Sequence, residues 1–290
     1  VTRPEASVIA SLRRTAAFAY GKLGELEMRN RRFSWAEDHI SRAVFWDEEL
    51  PGILVLLGWA RFRGGDLLTA IGPVKKALSK QPQDLEAQQL LTRITIELVD
   101  DKQLEKAGEC ADLLISLEPD TAFFFVLRGR LYGEKGDTQS ALADFSRALQ
   151  LDPNTPEAHY NSGILMLRTQ GPEAALREFD QELQISPDHD MAMFGKAEVL
   201  NQLGRRQEAI QLLQKVLILN PGSIPAYRLI ARLQISEGNL TGATANLETA
   251  SRMDPENAEI QLELSTIYAQ AGRDADAAAA KARYEELKNE

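Results

Sequence analysis

The stretch 122–155, AFFFVLRGRLYGEKGDTQSALADFSRALQLDPNT, carries the pattern from which the rest of the chain is read. Its first half places Phe125, Gly129 and Tyr132 at i, i+4 and i+7, and after the Gly136-Asp137 turn Ala141, Phe145, Ala148 and Leu149 repeat that spacing. Residues three, four and seven apart share one helical face, so the stretch predicts two amphipathic helices and nothing strand-like. Pro153 ends the second helix, because it has no amide donor and restricts the residue before it. Asn154-Thr155-Pro156-Glu157 then supplies capping oxygens and a first-turn proline for the next helix.

Outward from this stretch the pattern recurs. Pro119, Pro153, Pro187, Pro221 and Pro255 are 34 residues apart. Ala36, Ala70, Ala107, Ala141, Ala175, Ala209, Ala243 and Ala277 step by 34 except for one step of 37. Twelve residues before the alanines stand Gly58, Gly129, Gly163, Ala197 and Ala231, small residues that let two helices approach closely. Five before them stand Gly65, Gly136, Gly204, Gly238 and Gly272, where a reversing chain needs positive φ. Gly171 is shifted by one from that column, and Arg31 replaces the glycine in the first unit. A fixed period in this range marks a stack of similar units, none of which buries its apolar face alone.

These residues resemble the tetratricopeptide repeat (TPR) family: a small residue late in the first helix, an aromatic three on (Tyr132, Tyr268), the alanine, an aromatic or leucine four later (Phe145, Phe179, Leu213, Leu247), then Ala148 or Ala250, and the proline. The resemblance covers about nine tenths of the chain. It implies an all-α fold, a right-handed α-solenoid of about eight antiparallel helix pairs. The units drawn on the columns are 17–50, 51–84, 85–121, 122–155, 156–189, 190–223, 224–257 and 258–290, with 1–16 as a capping helix or the stub of a preceding repeat.

Three units depart from the pattern. The first has Glu48 at the proline position. The third carries three extra residues around Val99-Asp100-Asp101-Lys102, enough to lengthen its first helix by nearly a turn. In the fifth, Glu182 stands where Ala148 and Ala250 stand, which points to a contact surface or a helix end open to water.

Chemistry is sparse. A single cysteine, Cys110, excludes an internal disulfide and reads as a buried small apolar residue rather than a reactive thiol. His39, His159 and His189 lie in different units without i, i+4 partners, which speaks against a metal site, and His159 reads as a packing residue. No phosphate loop, nucleophile elbow or carboxylate pair is present, so neither an enzyme nor a cofactor is expected. Asn239-Leu240-Thr241 matches a glycosylation acceptor in an inter-helix turn. With 33 basic against 43 acidic residues, the chain carries a net charge of -10, which disfavours nucleic acid as a partner. Residues 237–290 hold five basic and eleven acidic residues, a net of -6, whereas 1–50 hold eight of each. No run of about 18 apolar residues predicts a membrane span. The chain starts at Val1, which reads as a processed mature form or the ordered part of something longer, with a bacterial periplasm or exterior favoured over cytoplasm.

Function is therefore expected from surface. The resemblance implies that the first helix of each unit lines the concave side. On that reading the partner-binding residues are Trp59, Phe62, Arg63, Arg93, Phe123, Val126, Arg130, Tyr160, Asn161, Arg168, Phe194 and Arg232. Arginines and aromatics anchor interfaces, because the guanidinium pairs bidentately with carboxylates and a ring buries much area at little entropy cost. The expected partner is a protein or peptide with acidic and apolar anchors. The family's carboxylate clamp for chaperone tails is not matched, since Asn161 alone falls on one of its places. The competing reading pairs those arginines with neighbouring glutamates. A second functional reading is self-association into an end-to-end filament or surface assembly, motivated by the unequal charge of the ends and the Ala277–Ala280 run.

Overall fold

The computed structural model describes residues 6–289 and divides into two compact units, 1–155 and 156–290. All regular structure among the described residues is helical. The first unit contains α1 (Ala6–Arg29), α2 (Phe33–Trp46), α3 (Ile53–Arg63), α4 (Leu67–Lys80), α5 (Leu85–Asp100), α6 (Leu104–Leu117), α7 (Ala122–Glu134) and α8 (Thr138–Leu151). The second contains α9 (Ala158–Thr169), α10 (Pro172–Ile185), α11 (Asp190–Gln202), α12 (Arg206–Leu219), α13 (Ile224–Ser236), α14 (Leu240–Met253), α15 (Ala258–Gln270) and α16 (Asp274–Asn289).

Within each unit consecutive helices form hairpins, α1 with α2 through α7 with α8 and α9 with α10 through α15 with α16, and each hairpin packs on the next. Residues 6–16 are the opening turns of α1 rather than a separate capping helix, while residues 1–5 of that segment and residue 290 of the last lie outside the described residues. α5 has 16 residues against 13 in α7, the nearly one-turn extension that the three inserted residues predict.

The turns inside the hairpins follow one backbone rule. Gly65, Gly136, Gly204, Gly238 and Gly272 have φ between 71° and 87°. Arg31 and Lys102 hold the same place at 58° and 60°, so geometry there is set by the hairpin even where no glycine relieves the Cβ crowding. Asp66, Asp84, Asp137, Asn239 and Asn257 each accept the amide of the residue three on and so cap α4, α5, α8, α14 and α15.

α9 is capped differently. Its first residue follows Glu157 at φ 64°, whose own side chain makes no cap. The carboxylate of Glu182, on α10, accepts the amides of Glu157 at 3.3 Å and Tyr160 at 3.2 Å. It also pairs with His189 Nδ1 at 2.9 Å, just before α11. Glu182 is fully buried, so it is neither a contact surface nor a helix end open to water. A buried carboxylate at an alanine place persists because three donors and the positive end of a helix compensate its lost hydration.

Candidate functional site

In the first unit, α3 and α5 bring four of the expected residues together. Trp59 and Phe62 lie three apart on α3, their rings edge to face with centroids 5.7 Å apart, and both are half-buried against the core. The indole Nε1 donates to Glu86 Oε1 at 3.1 Å, which fixes the ring plane. Arg63, one turn on from Trp59, and Arg93, on α5, each place their guanidinium carbon 5.7 Å from the centre of that ring, within cation–π range. Both arginines are exposed and have no carboxylate partner among the described residues. The result is a rigid aromatic pair flanked by two cations, with one carboxylate held below by the indole. Such a surface offers two unsatisfied guanidinium forks to an acidic group and two ring faces to an apolar one.

The other first-unit residues stand apart from this cluster. Phe123 is exposed, with its ring 6.4 Å from Phe124. Val126 is 1 % exposed and cannot meet a ligand: α7 is covered on several sides, and its single stripe of apolar residues widens into a nearly continuous buried run from Phe124 to Leu127. Arg130 forms an ion pair with Asp100 at 3.6 Å. The neighbouring Arg128, not on the expected list of contacts, donates to both oxygens of Asp144 at 2.8 and 2.9 Å and to Asp112 at 2.9 Å, a structural bridge between α6, α7 and α8. Those hydrogen bonds, Asp144 foremost, hold its proton more tightly than in water despite partial burial.

In the second unit, Tyr160 packs its ring 6.1 Å from Phe179 and 5.0 Å from His189. Asn161 donates to the Glu157 carbonyl at 2.7 Å within its own helix, and Phe194 is half-buried in the α11–α12 cluster. Arg168 is exposed and has no ion pair among the described residues. Arg232 is engaged: its Nε and Nη2 both donate to Glu263 Oε1, at 3.1 and 2.5 Å. Arg228 takes both oxygens of the same carboxylate at 3.0 Å and reaches Glu259 at 2.8 Å. Burial pushes the Glu263 carboxyl up, but the Arg228 and Arg232 hydrogen bonds outweigh it and leave the group below its ordinary range.

The competing sequence reading thus applies to Arg130, Arg228 and Arg232, and not to Arg63, Arg93 and Arg168. Glu86, Asp100 and Glu263 were not read from the sequence as partners of these residues. Their partners lie 27 to 35 residues away, about one repeat along, a spacing that a search within single helices does not sample. His159 is more than a packing residue, since its Nδ1 lies 2.8 Å from Glu178 Oε2. Among the described residues no group of His, Cys, Asp and Glu side chains is arranged to hold a metal, and no helix is long and apolar enough to cross a membrane.

A tetratricopeptide repeat model matches residues 170–233 and 234–287, and a further TPR repeat model matches 129–170, together more than half of the chain. The chain is 24% identical over 209 residues to the DnaJ homolog subfamily C member 7 homolog of Dictyostelium discoideum, which is 67% of this chain and 38% of that protein. It spans well under half the length of the curated relatives it matches. Its fold is similar to that of a tetratricopeptide repeat protein from Parabacteroides merdae, with a TM-score of 0.60, 23% identity, and coverage of 81% of this chain and 91% of that one. It is also similar to YrrB, a TPR protein described as having an unusual peptide-binding site, with a TM-score of 0.50, 19% identity, and coverage of 69% and 97%. At these identities the structures speak for the fold alone. With the repeat columns, the hairpin geometry and the family matches in agreement, the chain belongs to the tetratricopeptide repeat family.

Proposed function

We propose that the chain is a non-enzymatic scaffold that binds a segment of a partner protein on the α3–α5 face of its first unit, with Trp59 and Phe62 as apolar anchors and Arg63 and Arg93 as receivers of an acidic group. The observation that carries this reading is the convergence of two guanidiniums without carboxylate partners among the described residues on one indole, whereas Arg128, Arg130, Arg228 and Arg232 are each paired with a carboxylate of a neighbouring helix. An unpaired cation pair beside rings is the surface chemistry of an anchor site. The peptide-binding site named for YrrB makes a peptide ligand a natural class for this fold.

The test is selection of displayed peptides on the whole chain, followed by calorimetry with the enriched sequences. The expected consensus has an aromatic or aliphatic residue near Asp or Glu, and Arg63→Glu with Arg93→Glu weakens binding by at least about tenfold. Enriched peptides that bind the double variant unchanged, or a selection that enriches none, would remove the reading.

End-to-end growth through α16 is the weaker alternative. At the place where the other second helices carry Ile40, Val74, Ala111, Phe145, Phe179, Leu213 and Leu247, α16 carries Lys281, and four residues on it carries Glu285, both exposed. A polar outer face of that kind ends a stack rather than extending it.

A further inference from the structure

α1 presents an apolar stripe that the other described residues of the first unit leave exposed. Ile9, Leu12, Ala16, Ala19, Leu23 and Leu26 step along the helix by three, four, three, four and three residues, the spacing of a coiled-coil seam. Ile9 is 39%, Leu12 64%, Leu23 44% and Leu26 50% exposed, while the side of α1 that meets the unit is marked instead by Ala17, Gly21 and Gly24, all buried. One repeat on, the places of Ala19, Leu23 and Leu26 are taken by Ile53, Leu57 and Ala60, which are buried where α1 and α2 pack on α3. The stripe therefore holds the places by which one repeat stacks on another, exposed on α1 among the described residues.

We infer that this face pairs with the same face of a second copy, the two α1 helices running antiparallel. The stripe reads alike in both directions, large, large, small, small, large, large. In the antiparallel register Ile9 meets Leu26 of the second copy, Leu12 meets Leu23, and Ala16 meets Ala19 at the centre, where small residues let the helices approach closely. Charge follows the same symmetry. Arg13 and Glu27 border the stripe on the side of Tyr20, and the register sets Arg13 of each copy beside Glu27 of the other, whose carboxylate also lies 3.5 Å from Arg32 of its own chain. A cavity of about 570 Å³ lined by Ile9, Arg13, Arg14, Trp46, Asp47 and Glu49 lies beside the N-terminal half of the stripe. Because one patch serves both partners, the contact closes at two copies and does not propagate.

Sedimentation velocity of the whole chain over a wide concentration range tests this. The expected result is a reversible dimer. Leu12→Glu with Leu23→Glu, at positions too exposed to hold the fold, raises the dissociation constant by at least about a hundredfold with helicity by circular dichroism unchanged. Arg13→Glu and Glu27→Arg each weaken the dimer alone, and mixing the two variants restores a heterodimer, since every facing pair is then of opposite charge. A chain that is monomeric throughout, a dimer indifferent to the leucine substitutions, or variants that stay apart when mixed would each overturn the proposal.

Discussion

A Cβ built on Gly129 of α7 would stand 2.5 Å from the ring of Phe145 on α8, so the phenylalanine occupies the space that the glycine leaves. From the fourth unit to the seventh the two columns trade volume. Gly163 faces Phe179, whereas Ala197 and Ala231 sit opposite the smaller Leu213 and Leu247. Gly129→Ala is expected to destabilise by about 1 kcal/mol, a clash of roughly 1–3 kcal/mol set against a gain of up to about 1 kcal/mol in helix propensity. In a Phe145→Leu background the same substitution becomes stabilising by about 0.5–1 kcal/mol, because the clash is gone and the propensity gain remains. Urea denaturation of the four proteins checks the reversal of sign, and additive effects would refute the volume trade.

Glu182 offers a case where restoring the repeat pattern should harm. Its equivalents Ala148 and Ala250 are buried alanines, so Glu182→Ala brings the fifth repeat into line with its neighbours. It also strips the partner from the amides of Glu157 and Tyr160 and from His189. Unmatched buried donors cost about 1–3 kcal/mol, and a broken buried pair more, so a loss of about 2–4 kcal/mol is expected in the second unit. Hydrogen exchange is the sharper readout: the amides of Glu157 and Tyr160 lose protection first. A variant as stable as the parent would mean that Glu182 does not cap α9.

Cys110 is fully buried on α6, and burial lifts its thiol above the ordinary value. A disulfide reagent at mildly alkaline pH is therefore expected to label the native chain at least about a hundredfold more slowly than the unfolded one, since reaction needs both a thiolate and an opening of the unit. Native labelling at the denatured rate would show that α6 is not packed as described.

What the sequence disclosed about the fold it disclosed through repetition. Gly65 and Gly136 recur in phase, so the turns could be placed and Arg31 aligned with them, whereas Lys102 read as part of an insertion and takes its place among the turns only through its positive φ. Glu182 shows where that logic stops: a column identifies an exception but not its partner, because the amides it caps belong to a different helix. The binding residues follow the same division. Position in the repeat selected Trp59, Phe62, Arg63 and Arg93, which do converge, and it selected Val126 equally, which is buried. Whether an arginine is engaged depends on the carboxylate in the next repeat, as with Arg130 and Asp100, and a single helical period does not encode that. The stripe on α1 begins inside 1–16, which the repeat columns do not cover, and the 34-residue period passes over a seven-residue one.

Glu263 makes the stability of the second unit depend on acid in a defined direction. Burial alone would raise its carboxyl, but the hydrogen bonds from Arg228 and Arg232 prevail, so its folded value lies below the ordinary 4.5. A group depressed on folding contributes stability that is present above its unfolded pKa and is lost as pH falls through its folded one. The parent should therefore exceed Glu263→Gln in stability at neutral pH, by on the order of 1–2 kcal/mol for charge-assisted bonds of this partly exposed kind. As the pH is lowered from about 4.5 the margin should shrink, and it should vanish once the carboxyl is protonated in both states. Thermal unfolding of both proteins across that range is the measurement. Because Arg228 keeps Glu259 in either protein, salt should narrow the neutral-pH margin only modestly. A margin that stayed constant from neutral pH into acid would assign the effect of the substitution to packing and not to the charge of Glu263.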